Sequence, residues 1–539
     1  MATMPWPFTA TYTAMLSSRF LLLLFAALNL LAFAAQFVID FTPDNIAASC
    51  VVLASSLAIL LYILWTDAIQ THPLSTFAIF GFSFTSQMGA LLAQSGSGLS
   101  LSRELRQPLE TFAWLALFQG LAMLAHALYR TLCGRRDARD VSLVRSLLER
   151  MGLYQVPSAG TLWLIALMGL FGQFASGSTG VVAKIGQGMS IFAWTPFLIP
   201  MFVAEIGTGY CNTKRHFPAL FAYVLFIAVL GIAANIRGLM LSGLMTIALV
   251  FVLRGMRSRQ PVKAAQIGKY AALLLAVAAM AIPMSDLAVA MTIARKARGI
   301  ASPMKMVEDT FYYVMQPEQL KAQRELGESA SRFGSYDENY FANPLLARLM
   351  ETKFHDNAMY FGSRLAAKDQ DKLWEVTGDF LWAIFPDPVL KALKIDVDKD
   401  SLRFSMGDYL SYLGGAGEMG GYRTGSGFGQ GLAMFGPFFP LIYFCFCPIL
   451  FLTIDVLSYR SDKGGVLVCA LGMLGIWRLF QYGITTESIQ GFLMIVVRGM
   501  PQNIVIYLLC FTLARFGSGM LNSLFGGKRQ AMRTSPVLA

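Results

Sequence analysis

Three arginines stand within or at the edge of apolar stretches, where a charge is costly unless it faces a protein interior or a water-filled cavity: Arg237, Arg478 and Arg498. Arg237 follows Asn235-Ile236 and precedes Gly238, at the junction of two apolar runs. Arg478 precedes Gln481 by three residues, a spacing that puts both on one helical face. Arg498 lies just ahead of Gly499-Met500-Pro501, where a break or kink is expected. A guanidinium keeps its charge whatever its burial and pairs bidentately with phosphate oxygens, so a cluster of them around a membrane cavity suits a diphosphate. Each also has a plain structural reading, as a snorkelling or ion-paired arginine.

The second set lies in the one long polar stretch, residues 292–431. Arg348, Glu351, His355 and Arg364 come close together there, followed by Asp408, Glu418 and Arg423 among glycines. A neutral imidazole or a carboxylate can take the proton of a hydroxyl as it attacks, so His355, Glu351 and Glu418 are the candidate bases. A lone loop histidine is equally a hydrogen-bonding residue. The glycines between Gly414 and Gly431 permit close backbone approach and suit a binding loop, or a flexible lead-in to the next apolar run. No Gly-Lys-Ser/Thr accompanies them, so they are not a phosphate loop. Residues 374–389, with Trp382 and Phe385, read as an amphipathic element at a membrane surface or as a sugar-facing aromatic patch. Asp396, Asp398 and Asp400 resemble the start of a calcium loop, but the glycine and distal glutamate are absent at the required spacing, and no metal is expected.

The elements that must position these residues are membrane helices. Of 539 residues, 55% are hydrophobic and 14% charged, and apolar runs recur at around the 20 residues that cross a roughly 30 Å hydrocarbon core. The net charge of +11 sits mostly in short loops, which makes it a topology signal and no indication of nucleic acid. The seven cysteines lack metal-ligand spacing and predict neither disulfides nor zinc.

About twelve spans are expected, near 20–39, 46–65, 73–93, 109–129, 161–175, 190–207, 218–234, 239–253, 270–291, 432–454, 466–482 and 489–516. The first is read as an uncleaved helix. Loops rich in Arg and Lys, including Arg130 to Arg150, Arg254 to Lys269, and Arg460 with Lys463, then all fall on one side, which the positive-inside rule makes cytoplasmic along with both termini. The expected organisation is an all-α polytopic protein: spans one to nine in 1–291, a large helical loop on the opposite, periplasmic side in 292–431, spans ten to twelve in 432–516, and a cytoplasmic tail in 517–539.

Arg237-Gly238 at the outer end of a middle helix, a large loop before the final spans, and His355-Asp356-Asn357-Ala358-Met359-Tyr360 carry a family likeness. The chain resembles bacterial oligosaccharide repeat-unit polymerases of the Wzy type, relatives of the O-antigen ligases, over most of its length as architecture. The resemblance implies a GT-C-like, metal-independent, inverting glycosyltransferase of the inner membrane that needs no cofactor. Such an enzyme moves a growing glycan from undecaprenyl diphosphate onto an incoming lipid-linked repeat unit, building O-antigen, capsule or exopolysaccharide. It implies that Arg237, Arg364 and Arg423, with Arg348, Arg478 and Arg498, hold the departing diphosphate, and that His355, Glu418 or Glu351 acts as base or orients the acceptor hydroxyl. A flippase and a chain-length regulator would be partners. An O-antigen ligase ranks second, since its signature often carries a second histidine near the first. A polysaccharide or lipid transporter is the alternative from another class.

Overall fold

The computed structural model describes residues 19–134, 143–175, 180–206, 209–258, 283–295, 302–332, 336–338, 340–341, 343–399, 401–417, 419–460 and 465–525. Among the described residues, nine helices are long and apolar enough to cross a membrane, and they make this a multi-pass helical membrane protein. The first four are Phe20–Ile39, Pro43–Thr66, Pro73–Gly96 and Pro108–Cys133, within a few residues of expectation. Ala159–Ala175 is an apolar helix of 17 residues, and the expected ninth span falls mostly outside the described residues.

Residues 466–482 do not form the single helix expected of an eleventh span. Val466–Val468 pairs antiparallel with Ser458–Arg460, and two short helices follow, Ala470–Leu474 and Ile476–Tyr482. Two valines favour the strand, and Gly472 and Gly475 weaken a helix. A Cβ at Gly81 would collide with the backbone of Phe480, so the Ile476–Tyr482 helix lies directly against the third span.

The chain divides into two compact units. One takes in residues 1–141, 224–468 and 475–500; the other takes in 142–223, 469–474 and 501–539. In the second, Gly169 lets the Ala159–Ala175 helix meet the 3₁₀ turn Ile191–Leu198, and Thr195 donates to the Leu162 carbonyl at 2.9 Å. The Leu143–Arg150 helix, expected as an amphipathic element, exposes Leu143, Val144 and Leu147.

In the first unit the third span is central: 83% of it is buried, against 22% of the first span. It carries unusual polarity for its depth. Gln87 accepts from Ser55 and donates to Gln119, which closes a buried polar ring on the Ser55 carbonyl. A π-helical turn, Phe84–Met88, interrupts it at the level where the polar stretch of the sequence packs. Arg130, Arg254 and Arg257 lie at the other end of these helices, with Arg130 donating to the Thr66 carbonyl.

The polar stretch folds into helices, among them Pro303–Val314, Pro317–Arg332, Pro344–Leu349, Thr352–Gly362, Ala367–Ala383 and Met406–Leu413, with prolines starting the first three. Two apolar spans contribute their ends to the same layer. Gly427–Phe435 precedes a break at Gly436 and the Phe439–Asp455 helix; Ile489–Met494 precedes a π-helical turn at Ile495–Gly499. The stretch from Met500 to Met520 alone reaches about 30 Å, so the preceding turns are surplus to one crossing. Gln430 ties the layer together, donating to Thr377 at 2.8 Å and accepting the Ile489 N–H at 2.9 Å. Its apolar centre is Ala358, Leu373, Val376, Met406, Leu410 and Met434.

Candidate functional site

The Thr352–Gly362 helix is polar in sequence yet buried along almost its whole length. Buried polar groups are tolerated when each finds a partner, and here each does. The Glu351 N–H and the Thr352 hydroxyl donate to the Thr85 and Ser86 carbonyls, both at 2.8 Å. Both carbonyls belong to the π turn of the third span. Asp356 accepts the N–H groups of Arg106 and Gln107 at 2.7 and 3.0 Å and the Thr111 hydroxyl at 3.0 Å. Lys353 donates to the Glu104 carbonyl, and Asn357 donates to the Asp337 carbonyl at 2.6 Å.

His355 stands between two hydroxyls, with Ser426 Oγ 2.7 Å from Nδ1 and Ser86 Oγ 3.2 Å from Nε2, and the rings of Phe82 and Phe428 flank it. Burial lowers its pKa to about 3, so the imidazole is neutral at physiological pH. Glu351, one turn earlier, lies among Gln481, Tyr482 and Thr485; burial pushes its carboxyl up to about 8, so it is mostly protonated at neutral pH. Both candidate bases are therefore enclosed and largely neutral at neutral pH.

The accessible chemistry lies at the other end of the same helix. Arg106 stacks over both Tyr360 and Phe361, with its guanidinium carbon 4.9 Å from each ring centre. Arg364 lies 5.2 Å over Tyr360 and bonds its hydroxyl. Phe361 stacks on Tyr336 at 6.0 Å, and Arg423 covers Tyr336 at 4.6 Å while donating to the Ser411 hydroxyl at 2.7 Å. Three guanidiniums and three rings thus form one connected group, each cation supported by a π face. The chain matches no protein-family model, no curated protein and no solved structure. The reading of this site therefore rests on its own residues.

Of the residues singled out in the sequence, Arg364 and Arg423 belong to this group, and His355 and Glu351 are buried along the earlier part of the same segment, each with its own partners. Arg478 is exposed on the Ile476–Tyr482 helix while Gln481 is buried, so the two part company across the helix surface. Arg498 sits on the π turn Ile495–Gly499 and donates to the Ile384 carbonyl at 3.3 Å, at the end of the Ala367–Ala383 helix. Arg237 opens the Arg237–Arg257 helix behind Asn235, which holds the left-handed conformation and donates to the Met291 carbonyl at 3.0 Å. The side chains of Arg237 and Arg348, and the whole of Glu418, lie outside the described residues. Arg106 was missed. The available signal was an arginine two residues before Pro108 in a short loop on the side that the positive-inside rule leaves poor in cations.

Proposed function

We propose that this protein polymerises lipid-linked oligosaccharides, acting as a metal-independent glycosyltransferase on undecaprenyl-diphosphate substrates at the membrane face that carries the polar layer. The observation that carries the reading is the Arg106, Arg364 and Arg423 group. Three cations, each backed by an aromatic ring, suit the charge that grows on a departing diphosphate. In this reading the arginines bind and orient the lipid diphosphate while the new glycosidic bond forms. His355 and Glu351, both buried, hold the helix that presents Tyr360 and Phe361. The acceptor hydroxyl gives its proton to Glu418, which stands a few residues before Arg423 in the sequence. The periplasmic side of a bacterial inner membrane is the setting that such a substrate requires, with a flippase supplying it and a chain-length regulator acting on the product.

The test is turnover by purified protein in liposomes supplied with the native undecaprenyl-diphosphate oligosaccharide, without metal or nucleotide. A ladder of integral repeats is expected. Intact substrate would overturn the polymerase reading. The transporter reading, favoured by the buried polar groups of the third span, would then be tested by flux of the same lipid.

A further inference from the structure

Tyr422 is exposed and held in the left-handed conformation, with φ of 50° and 75% of its surface accessible, immediately after Gly420 and Gly421. A side chain other than glycine is strained there, and a ring so exposed returns little through packing. The fold holds the position firmly nonetheless. Asp408, fully buried, accepts the N–H groups of Tyr422 and Arg423 at 3.1 and 3.3 Å and that of Ser405 at 3.3 Å, closing a capping box on the Met406–Leu413 helix. Ser405 donates back to the Arg423 carbonyl at 2.7 Å. Gly407 and Gly425 let the segment lie flush against its neighbours, where a Cβ would strike the backbone of Arg423 or of Glu487. One carboxylate therefore fixes the backbone that presents an outward-facing aromatic ring and, at the next residue, a cation of the arginine group. Backbone strain retained in a tightly held turn recurs at ligand-binding sites.

We propose that Tyr422 is a carbohydrate-stacking residue, whose ring carries a sugar of the glycan attached to the diphosphate bound by Arg106, Arg364 and Arg423. The inference rests on the diphosphate reading of that group and deepens it. Its test uses full-length protein in nanodiscs and two probes, undecaprenyl diphosphate alone and undecaprenyl diphosphate bearing the native oligosaccharide. Wild type binds the glycan-bearing lipid more tightly than the bare one. Tyr422→Gly relieves the backbone strain, so it folds, and it loses that gain, roughly tenfold in affinity, while binding of the bare lipid is unchanged. Tyr422→Phe retains the gain. A Tyr422→Gly protein that keeps the full preference for the glycan, or a wild type that binds both lipids equally, overturns the role of Tyr422 alone. A wild type that binds neither lipid overturns the diphosphate site and the stacking role together.

Discussion

His355 and Ser86 are 269 positions apart in the chain and 3.2 Å apart in the structure, and the second ring nitrogen of the same imidazole meets Ser426. One side chain thus joins the third span to the Gly427–Phe435 helix. Replacing His355 with Ala leaves two buried hydroxyls without this partner and opens a cavity, which should lower unfolding stability by about 3 kcal/mol. Thermal unfolding in nanodiscs measures it; a melting temperature equal to wild type would show that the bridge contributes nothing.

Glu351 gives a pH dependence of defined sign. Its folded pKa of about 8 lies above the ordinary value of 4.5, so the folded state holds the proton more tightly. That contribution is fully present below about pH 4.5 and is lost as pH rises through 8. His355, depressed to about 3 from 6.5, works in the opposite sense: its contribution is present above 6.5 and lost toward 3. The two slopes oppose each other between about pH 4.5 and 6.5. From pH 6.5 to 8 the Glu351 slope stands alone between these two groups and should cost about 1–2 kcal/mol. Glu351→Gln should flatten the wild-type decline over that interval, and an unchanged decline would assign it to another group.

Arg106→Ala should depress polymer formation on the order of 10²-fold, as loss of one preorganised donor to a developing anion commonly does. The backbone N–H that reaches Asp356 survives the substitution, so the protein should remain folded in the membrane. Arg423→Ala should behave alike. Arg478→Ala, at an exposed position, should stay close to wild type. Equal effects at Arg106 and Arg478 would sink the assignment of the site to the Tyr360–Phe361 end of the helix.

Asp356→Asn places an amide where two backbone N–H groups and a hydroxyl all donate. One amide oxygen cannot replace two carboxylate oxygens, and the NH₂ group would face donors. A loss of about 3 kcal/mol in stability is expected, together with release of the loop that carries Arg106. Limited proteolysis between Leu101 and Pro108 would report the release, and a variant as resistant as wild type would refute it.

The spans were legible where a long apolar run meets only one demand, that of crossing hydrocarbon. Phe20–Ile39, only 22% buried, is of that kind. Residues 466–482 were misread because an apolar run of that length does not distinguish a span from a strand followed by two short helices; Val466 and Val468, with Gly472 and Gly475, hinted at the difference. The polar stretch was visible as a unit, and Arg364 and Arg423 were picked out within it. That the Thr352–Gly362 helix is buried was not legible, since Lys353, His355, Asp356 and Asn357 ordinarily face water. Their partners come from Ser86, Arg106, Thr111 and Ser426, and no local pattern encodes pairings across such separations.

The flush contacts at Gly407 and Gly425 constrain how this protein can diversify. With both flanks of the 408–424 segment seated against backbone, and Gly414 seated against Phe361, an insertion is excluded at the ends and admitted only in the turn from Gly415 to Gly421. Homologues that handle different glycans should therefore differ in the length and aromatic content of that turn while leaving its two hinges unchanged. Swapping the turn alone would then be the economical route to altered sugar selectivity.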